Sequence, residues 1–146
     1  MNKFMEIAQK EAKKANKKDE IPVGAVIVKN GKIISKAHNK RNKTNKIIDH
    51  AEILAITKAN KKLHNWRLDN CEIYITLEPC PMCAGAILKS RIKKVYIGTS
   101  SNIKSNKKII ESIFNNNEYY HNVDYEYLNN KDCSKILTDF FKEKRL

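Results

Sequence analysis

Tyr74-Ile75-Thr76-Leu77-Glu78-Pro79-Cys80-Pro81-Met82-Cys83-Ala84-Gly85-Ala86 runs from a strand pattern through a proline-punctuated corner into a helical pattern. Glu72 to Leu77 carries the β-branched and aromatic side chains of a strand. From Cys80 to Ser90 the apolar Ala84, Ile87 and Leu88 recur at helical spacing. Pro81 falls where a first-turn proline leaves no backbone N–H unpaired. Cys80 and Cys83 are three residues apart, so at a helix start they share a face and can grip one ion. The partial positive charge of the helix N-terminus favours their thiolate form.

A third donor stands upstream. His50-Ala51-Glu52 opens a second predicted helix, about His50 to Asn60, with Ala51, Leu54, Ala55 and Ala59 on one face. A close cysteine pair in a chain without a secretory signal points to metal binding or redox chemistry rather than a disulfide. The redox alternative calls for a thioredoxin-like context and has no use for a partnered His-x-Glu. Two thiolates and one imidazole make three protein ligands: His50, Cys80 and Cys83. Zinc with three protein ligands keeps a fourth position for water, as in catalytic sites, whereas structural sites fill all four. Cys71 and Cys133 lie beside apolar segments and read as small core residues. Neither they nor His38, His64 and His121 show paired ligand spacing. A zinc-bound water has a pKa of about 7, so a nucleophile is available at neutral pH. Glu52 is badly placed to be a second ligand from the same turn, and its predicted role is proton transfer.

Outward from these two helix starts, Phe4 to Ala15 reads as an amphipathic helix, with Ile7, Ala8, Glu11 and Ala12 in its stripe. Ile21 to Val28 is a predicted buried strand. Asn30-Gly31 is a hairpin signal, because both central positions of such a turn favour positive φ. Lys32 to His38 returns antiparallel. Asn39 to Asp49 is polar and basic and reads as a loop long enough to carry function. Val95 to Gly98 is a fourth strand. Ser100 to Lys108 reads as loop, Ile109 to Phe114 as one or two helical turns, Val123 to Leu128 as an edge strand and Lys131 to Lys144 as a helix. Alternation of helices and strands implies an α/β fold with a sheet covered on both faces, and the opening hairpin makes that central sheet mixed.

At 146 residues the chain is long enough for one domain, expected to span residues 1–146, and too short for two ordinary ones. Its longest apolar run, Val23 to Val28, falls far short of the ~20 residues of a membrane span. The N-terminal residues lack the apolar core of a signal peptide, so the expected location is cytoplasmic. The net charge is +13 and the pI about 9.6. Such a field attracts polyanions, nucleic acid first among them. The excess of Lys and Asn is equally what AT-rich codon usage produces, and charge alone leaves that alternative open.

The conjunction of His50-x-Glu52 with Pro79-Cys80-x-x-Cys83 resembles the signature of the zinc-dependent nucleobase deaminases. Within them the chain is similar, over nearly its whole length, to the bacterial-type tRNA-specific adenosine deaminases. Ile21-Pro22-Val23-Gly24-Ala25-Val26, Asn39, His50-Ala51-Glu52-Ile53, Tyr74 to Ala86, Ser90-Arg91-Ile92 and Asp139-Phe140-Phe141 carry that similarity. The resemblance implies a three-layer α/β/α cytidine-deaminase-like fold. It also implies one Zn2+ per chain on His50, Cys80 and Cys83, with Glu52 as the catalytic proton shuttle and Asn39 in contact with the base. The implied reaction is hydrolytic deamination of adenosine to inosine at the wobble position of a tRNA anticodon. The implied partners are the anticodon stem-loop and a second copy of the chain in a homodimer. The backbone amides of Ala51 and Cys80, both at helix starts, are expected to orient the attack.

The chain departs from the family pattern in two places. Thr99 to Lys107 lacks the acidic residue and glycine common there, and His38 stands where an aromatic usually precedes the Asn39 position. His38 is expected either to stack on a base or to face solvent. Deamination of a free base or nucleoside (guanine, cytosine or related) competes with the tRNA reading, because specificity resides in pocket walls and loops. The basic Asn39–Lys46 loop and the terminal Lys142-Glu143-Lys144-Arg145 favour RNA. A non-enzymatic RNA-binding zinc module is the second rival, and Glu52 argues against it.

Overall fold

In the computed structural model, which describes residues 2–119 and 121–144, neighbouring residues of each central strand enter different cores. Ala25, Ile27, Ile73, Ile75, Val95 and Ile97 belong to one apolar cluster, and Val26, Val28 and Tyr74 to another. This is the two-residue period of strands covered on both faces.

The elements are α1 (Lys3–Lys17), β1 (Gly24–Lys29), β2 (Lys32–His38), α2 (Arg41–Thr44), α3 (Ala51–Leu63), β3 (Cys71–Leu77), α4 (Pro81–Lys89), β4 (Lys94–Thr99), α5 (Asn106–Phe114), β5 (Asp124–Tyr127) and α6 (Lys131–Lys144). The strands form one sheet in the order β2-β1-β3-β4-β5. β1 pairs antiparallel with β2 and β3, whereas β3, β4 and β5 run parallel. Ala51, Ala55 and Ala59 of α3, Ala84, Ile87 and Leu88 of α4, and Ile110 and Phe114 of α5 pack on one face. Met5 and Ala8 of α1 and Cys133 of α6 pack on the other. The α/β fold with a mixed sheet between two helical layers is thus as expected.

The close approach of α1 to β1 depends on Gly24, where a Cβ would fall 2.0 Å from the Ala8 carbonyl oxygen. The predicted hairpin turn forms at Asn30 (φ 52°) and Gly31 (φ 77°).

Several boundaries differ from expectation, each for a local reason. β1 begins at Gly24 rather than Ile21, because Pro22 has no N–H to offer a ladder and Val23 bonds back to the Ile21 carbonyl. The expected Asn39–Asp49 loop contains the single turn α2, whose Asn42 and Lys43 amides donate to the distant Glu20 carboxylate. α5 starts at Asn106, inside the segment read as loop, and the Val123–Leu128 strand is the parallel edge strand β5. Arg145 of the basic C-terminal run lies outside the described residues. No helix among the described residues is long and apolar enough to cross a membrane.

Candidate metal and deaminase centre

His50 and Cys80 occupy equivalent positions, each the residue immediately before a helix on the same face of the sheet. Both have extended backbone, φ −75° and ψ 155° for His50 and φ −73° and ψ 169° for Cys80. Each carbonyl accepts the first helical hydrogen bond, from Leu54 and from Ala84 respectively. Ser, Thr, Asp and Asn favour this position because their side chains cap the helix. Here neither side chain caps, so imidazole and thiol are free for another task.

The two helix starts meet. His50 Nδ1 lies 3.5 Å from Cys83 Sγ and 3.8 Å from Cys80 Sγ. All three donor atoms fall within 4.8 Å of one another. Zinc bonds of about 2.3 Å to sulfur and 2.0 Å to nitrogen, opened at a tetrahedral angle, put the two donors roughly 3.5 Å apart. The donor set therefore fits zinc in both chemistry and spacing.

Contact with the Cys83 thiol lowers the Cys80 pKa to about 4, against burial, with His50 adding to the lowering. The Cys80 thiolate and burial push Cys83 upward. Ionisation of Cys80 thus opposes that of Cys83, and a dication between them would favour both thiolates. Contact with Cys80 raises the His50 pKa, against burial.

Glu52, in the first turn of α3, is 3% exposed. Burial raises its carboxyl to about 7, opposed by its own backbone amide, with the charge of Cys80 adding to the rise. A carboxyl poised near neutrality can both take and return a proton.

His50, Cys80 and Glu52 face a cavity of about 120 Å³, lined also by Glu20, Ile21, Val23, Asn39, Arg41, Leu77 and Glu78. The structure therefore brings His50, Cys80, Cys83, Glu52 and Asn39 to one place. Asn39 also does a structural job. Its Oδ1 accepts the Ala51 amide at 2.8 Å and its Nδ2 donates to the Ile21 carbonyl at 3.2 Å. The expectation that the Ala51 amide orients the attack is corrected by this bond. His38 neither stacks outward nor faces solvent. It is buried, with Nδ1 3.1 Å from Glu11 Oε1, and its Nε2 has no partner among the described residues.

Three further groups escape a reading of the sequence. Glu78 is buried and receives the Asn106 amide at 2.7 Å and the Tyr127 hydroxyl. Asn106 also donates to the Pro79 carbonyl at 3.1 Å, fastening the cysteine corner to α5. Glu20, buried in the cavity lining, accepts the amides of Asn42 and Lys43. Glu78 belongs to the proline corner itself, and its acidic character just before Pro79 is its one local signal.

A model of the cytidine and deoxycytidylate deaminase zinc-binding region matches residues 1–99. A tRNA-specific adenosine deaminase of Bacillus subtilis is 41% identical over 143 residues, covering 97% of this chain and 89% of the relative. A structure from a study of A-to-I editing by tRNA:A34 deaminases at the wobble position superposes with a TM-score of 0.83 at 35% identity, over 92% of this chain and 99% of the other. The guanine deaminase of Bacillus subtilis is similar in structure with a TM-score of 0.68 at 31% identity, over 100% of this chain and 96% of that one.

Proposed function

Because this chain belongs to the family of the cytidine and deoxycytidylate deaminase zinc-binding region, we propose that its cavity deaminates adenosine hydrolytically to inosine at the wobble position of a tRNA anticodon. The observation that carries the chemistry is the convergence of the His50, Cys80 and Cys83 donor atoms beside a cavity lined by His50, Cys80 and the buried carboxyl of Glu52. The whole-length similarity to a tRNA-specific adenosine deaminase carries the substrate.

In this reading His50, Cys80 and Cys83 hold zinc, which when bound supplies a nucleophilic water at neutral pH. The Glu52 carboxyl would accept a proton from the attacking water and return it to the departing amino nitrogen. Adenosine and water are consumed, and inosine and ammonia are released. Asn39, already anchored on Ile21 and Ala51, keeps one further N–H and one lone pair for the base.

We extend the proposal to the assembly and its setting. Residues 1–146 act as one domain, since one apolar cluster joins Ala25 and Ile27 to Phe114 and Leu137. The free thiols of Cys71, Cys80, Cys83 and Cys133 suit the reducing cytoplasm. Ile47 and Ile48, just before His50, and Met82, between the cysteines, expose apolar side chains that suit a homodimer contact. Sedimentation of the zinc-loaded protein tests the dimer, which a monomer at micromolar concentration would exclude.

The deciding assay incubates the protein with an anticodon stem-loop and reads inosine as guanosine by sequencing. Conversion is expected at the wobble adenosine. Turnover confined to guanine or another free base would give the function to the reading favoured by the guanine deaminase likeness.

A further inference from the structure

Arg41 is the only Lys or Arg among the described residues lining the cavity. Three carboxylates, Glu20, Glu52 and Glu78, share that lining. In a chain of net charge +13 the cations have been kept off this wall, with one exception. Carboxylates within a Debye length of the mouth repel a phosphodiester, so an RNA substrate needs a cation there.

The exception is held in place. Arg41 begins α2, and that turn is fastened by Glu20, whose Oε1 accepts the Asn42 amide at 3.1 Å and whose Oε2 accepts the Lys43 amide at 2.8 Å. Glu20 is only 3% exposed, so the turn is tied to the buried wall of the cavity. The same carboxylate already occupies the amides that an incoming anion would seek. What remains for an anion is the guanidinium. Arg41 is half-buried, forms no ion pair with any of the described residues, and shares the cavity lining with His50. A guanidinium fork matches two phosphate oxygens where an ammonium offers a point charge.

We propose that Arg41, positioned by Glu20, binds the backbone phosphate beside the nucleotide whose base enters the cavity, and thereby selects a polynucleotide over a free base or nucleoside. The inference rests on the RNA reading above. A base or nucleoside carries no phosphate and gains nothing from Arg41.

Steady-state deamination of an anticodon stem-loop by the zinc-loaded protein tests it, with Arg41→Gln compared against Lys43→Gln, an exposed cation of the same turn. Arg41→Gln is expected to raise KM about tenfold with kcat within about twofold, as the loss of one charge-assisted contact implies. Its slope of log KM against log salt falls by about 0.7–1, whereas Lys43→Gln shifts KM by less than about threefold. Arg41→Lys recovers part of the loss. Equal effects of Arg41→Gln and Lys43→Gln would overturn the inference, as would a fall in kcat at unchanged KM. If the wild-type protein leaves the stem-loop untouched, the RNA reading itself fails and the Arg41 inference with it.

Discussion

The side-chain oxygen of Asn39 accepts the Ala51 backbone N–H at 2.8 Å, which ties the end of β2 to the first turn of α3. A residue expected only to meet the substrate thus also fixes the direction in which His50 and Glu52 enter the cavity. Asn39→Ala leaves the Ala51 amide without its partner, while the Ile21 carbonyl keeps the Val23 N–H, and is expected to cost about 1–2 kcal/mol, the range for losing a helix cap. Asn39→Asp keeps the acceptor for Ala51 but loses the donor to Ile21, so it should be less destabilised yet still impaired in turnover. Urea denaturation alongside kcat/KM separates the two. Full stability and activity in Asn39→Ala would remove both roles.

Glu52→Gln is expected to reduce turnover by about 10²–10⁴-fold, the usual contribution of a general acid–base group. Zinc content, measured by atomic emission, should stay near one ion per chain. Loss of zinc in this variant would recast Glu52 as a ligand.

Removal of zinc by a chelator should abolish activity and lower stability, with both restored by added zinc. Cys83→Ser should fail to regain them, because Cys83 is fully buried behind His50 and no described His, Cys, Asp or Glu outside the His50–Cys80–Cys83 group converges with it as a metal-ligand set. Zinc binding undiminished in Cys83→Ser would contradict the three-donor site.

Asn106 fastens the Pro79 carbonyl and the Glu78 carboxylate, although it comes from the segment that departs from the family pattern. Asn106→Ala is expected to destabilise the protein by about 1–3 kcal/mol through the buried acceptors it strands. Tyr127→Phe, which leaves Glu78 with the Asn106 amide, should cost less. Thermal denaturation in the zinc-loaded state ranks them, and the reverse order would shift the anchor of the corner from α5 to β5.

Glu11 and His38 make stability depend on pH. Burial would raise the Glu11 carboxyl, but the bonds from Lys14 and His38 outweigh it and hold the pKa below its ordinary 4.5. Burial lowers His38 below its ordinary 6.5, against the pull of Glu11. Both folded values are depressed, so the unfolded chain binds more protons in acid. The His38 contribution is complete above about pH 6.5 and the Glu11 contribution above about pH 4.5, and each is lost as the pH falls through its folded value. Urea midpoints should therefore decline below about pH 6.5, and the first part of the decline should vanish in His38→Gln. A pH-independent difference between the two proteins would disprove the assignment to His38.

Much of the site was legible because its donors sit in short local patterns. His50-x-Glu52 and Cys80-x-x-Cys83 each fall at the start of a periodic apolar segment, and such periodicity is read within one window. The supporting groups were not legible. Asn106 reaches Glu78 across 28 residues, Tyr127 reaches it across 49, and Glu20 is met by Asn42 across 22. His38 shows the same limit. Its charge type suggested an exposed residue, yet Glu11, 27 residues away, receives it inside the protein.

By itself the sequence determined the alternation of strands and helices, the proline corner at Pro79 and the donor set. Those follow from side-chain type and period, which act over a few neighbouring residues. The tertiary structure alone decided that His50 Nδ1 comes within 3.5 Å of Cys83 Sγ, that Glu52 is buried to a pKa near 7, and that Asn39 takes the Ala51 amide. It also decided that the Glu20 carboxylate takes the amides of Asn42 and Lys43, in the turn that brings Arg41 to the cavity lining. Each of these depends on strand register and on loops closing over long chain separations, and no local pattern encodes that closure.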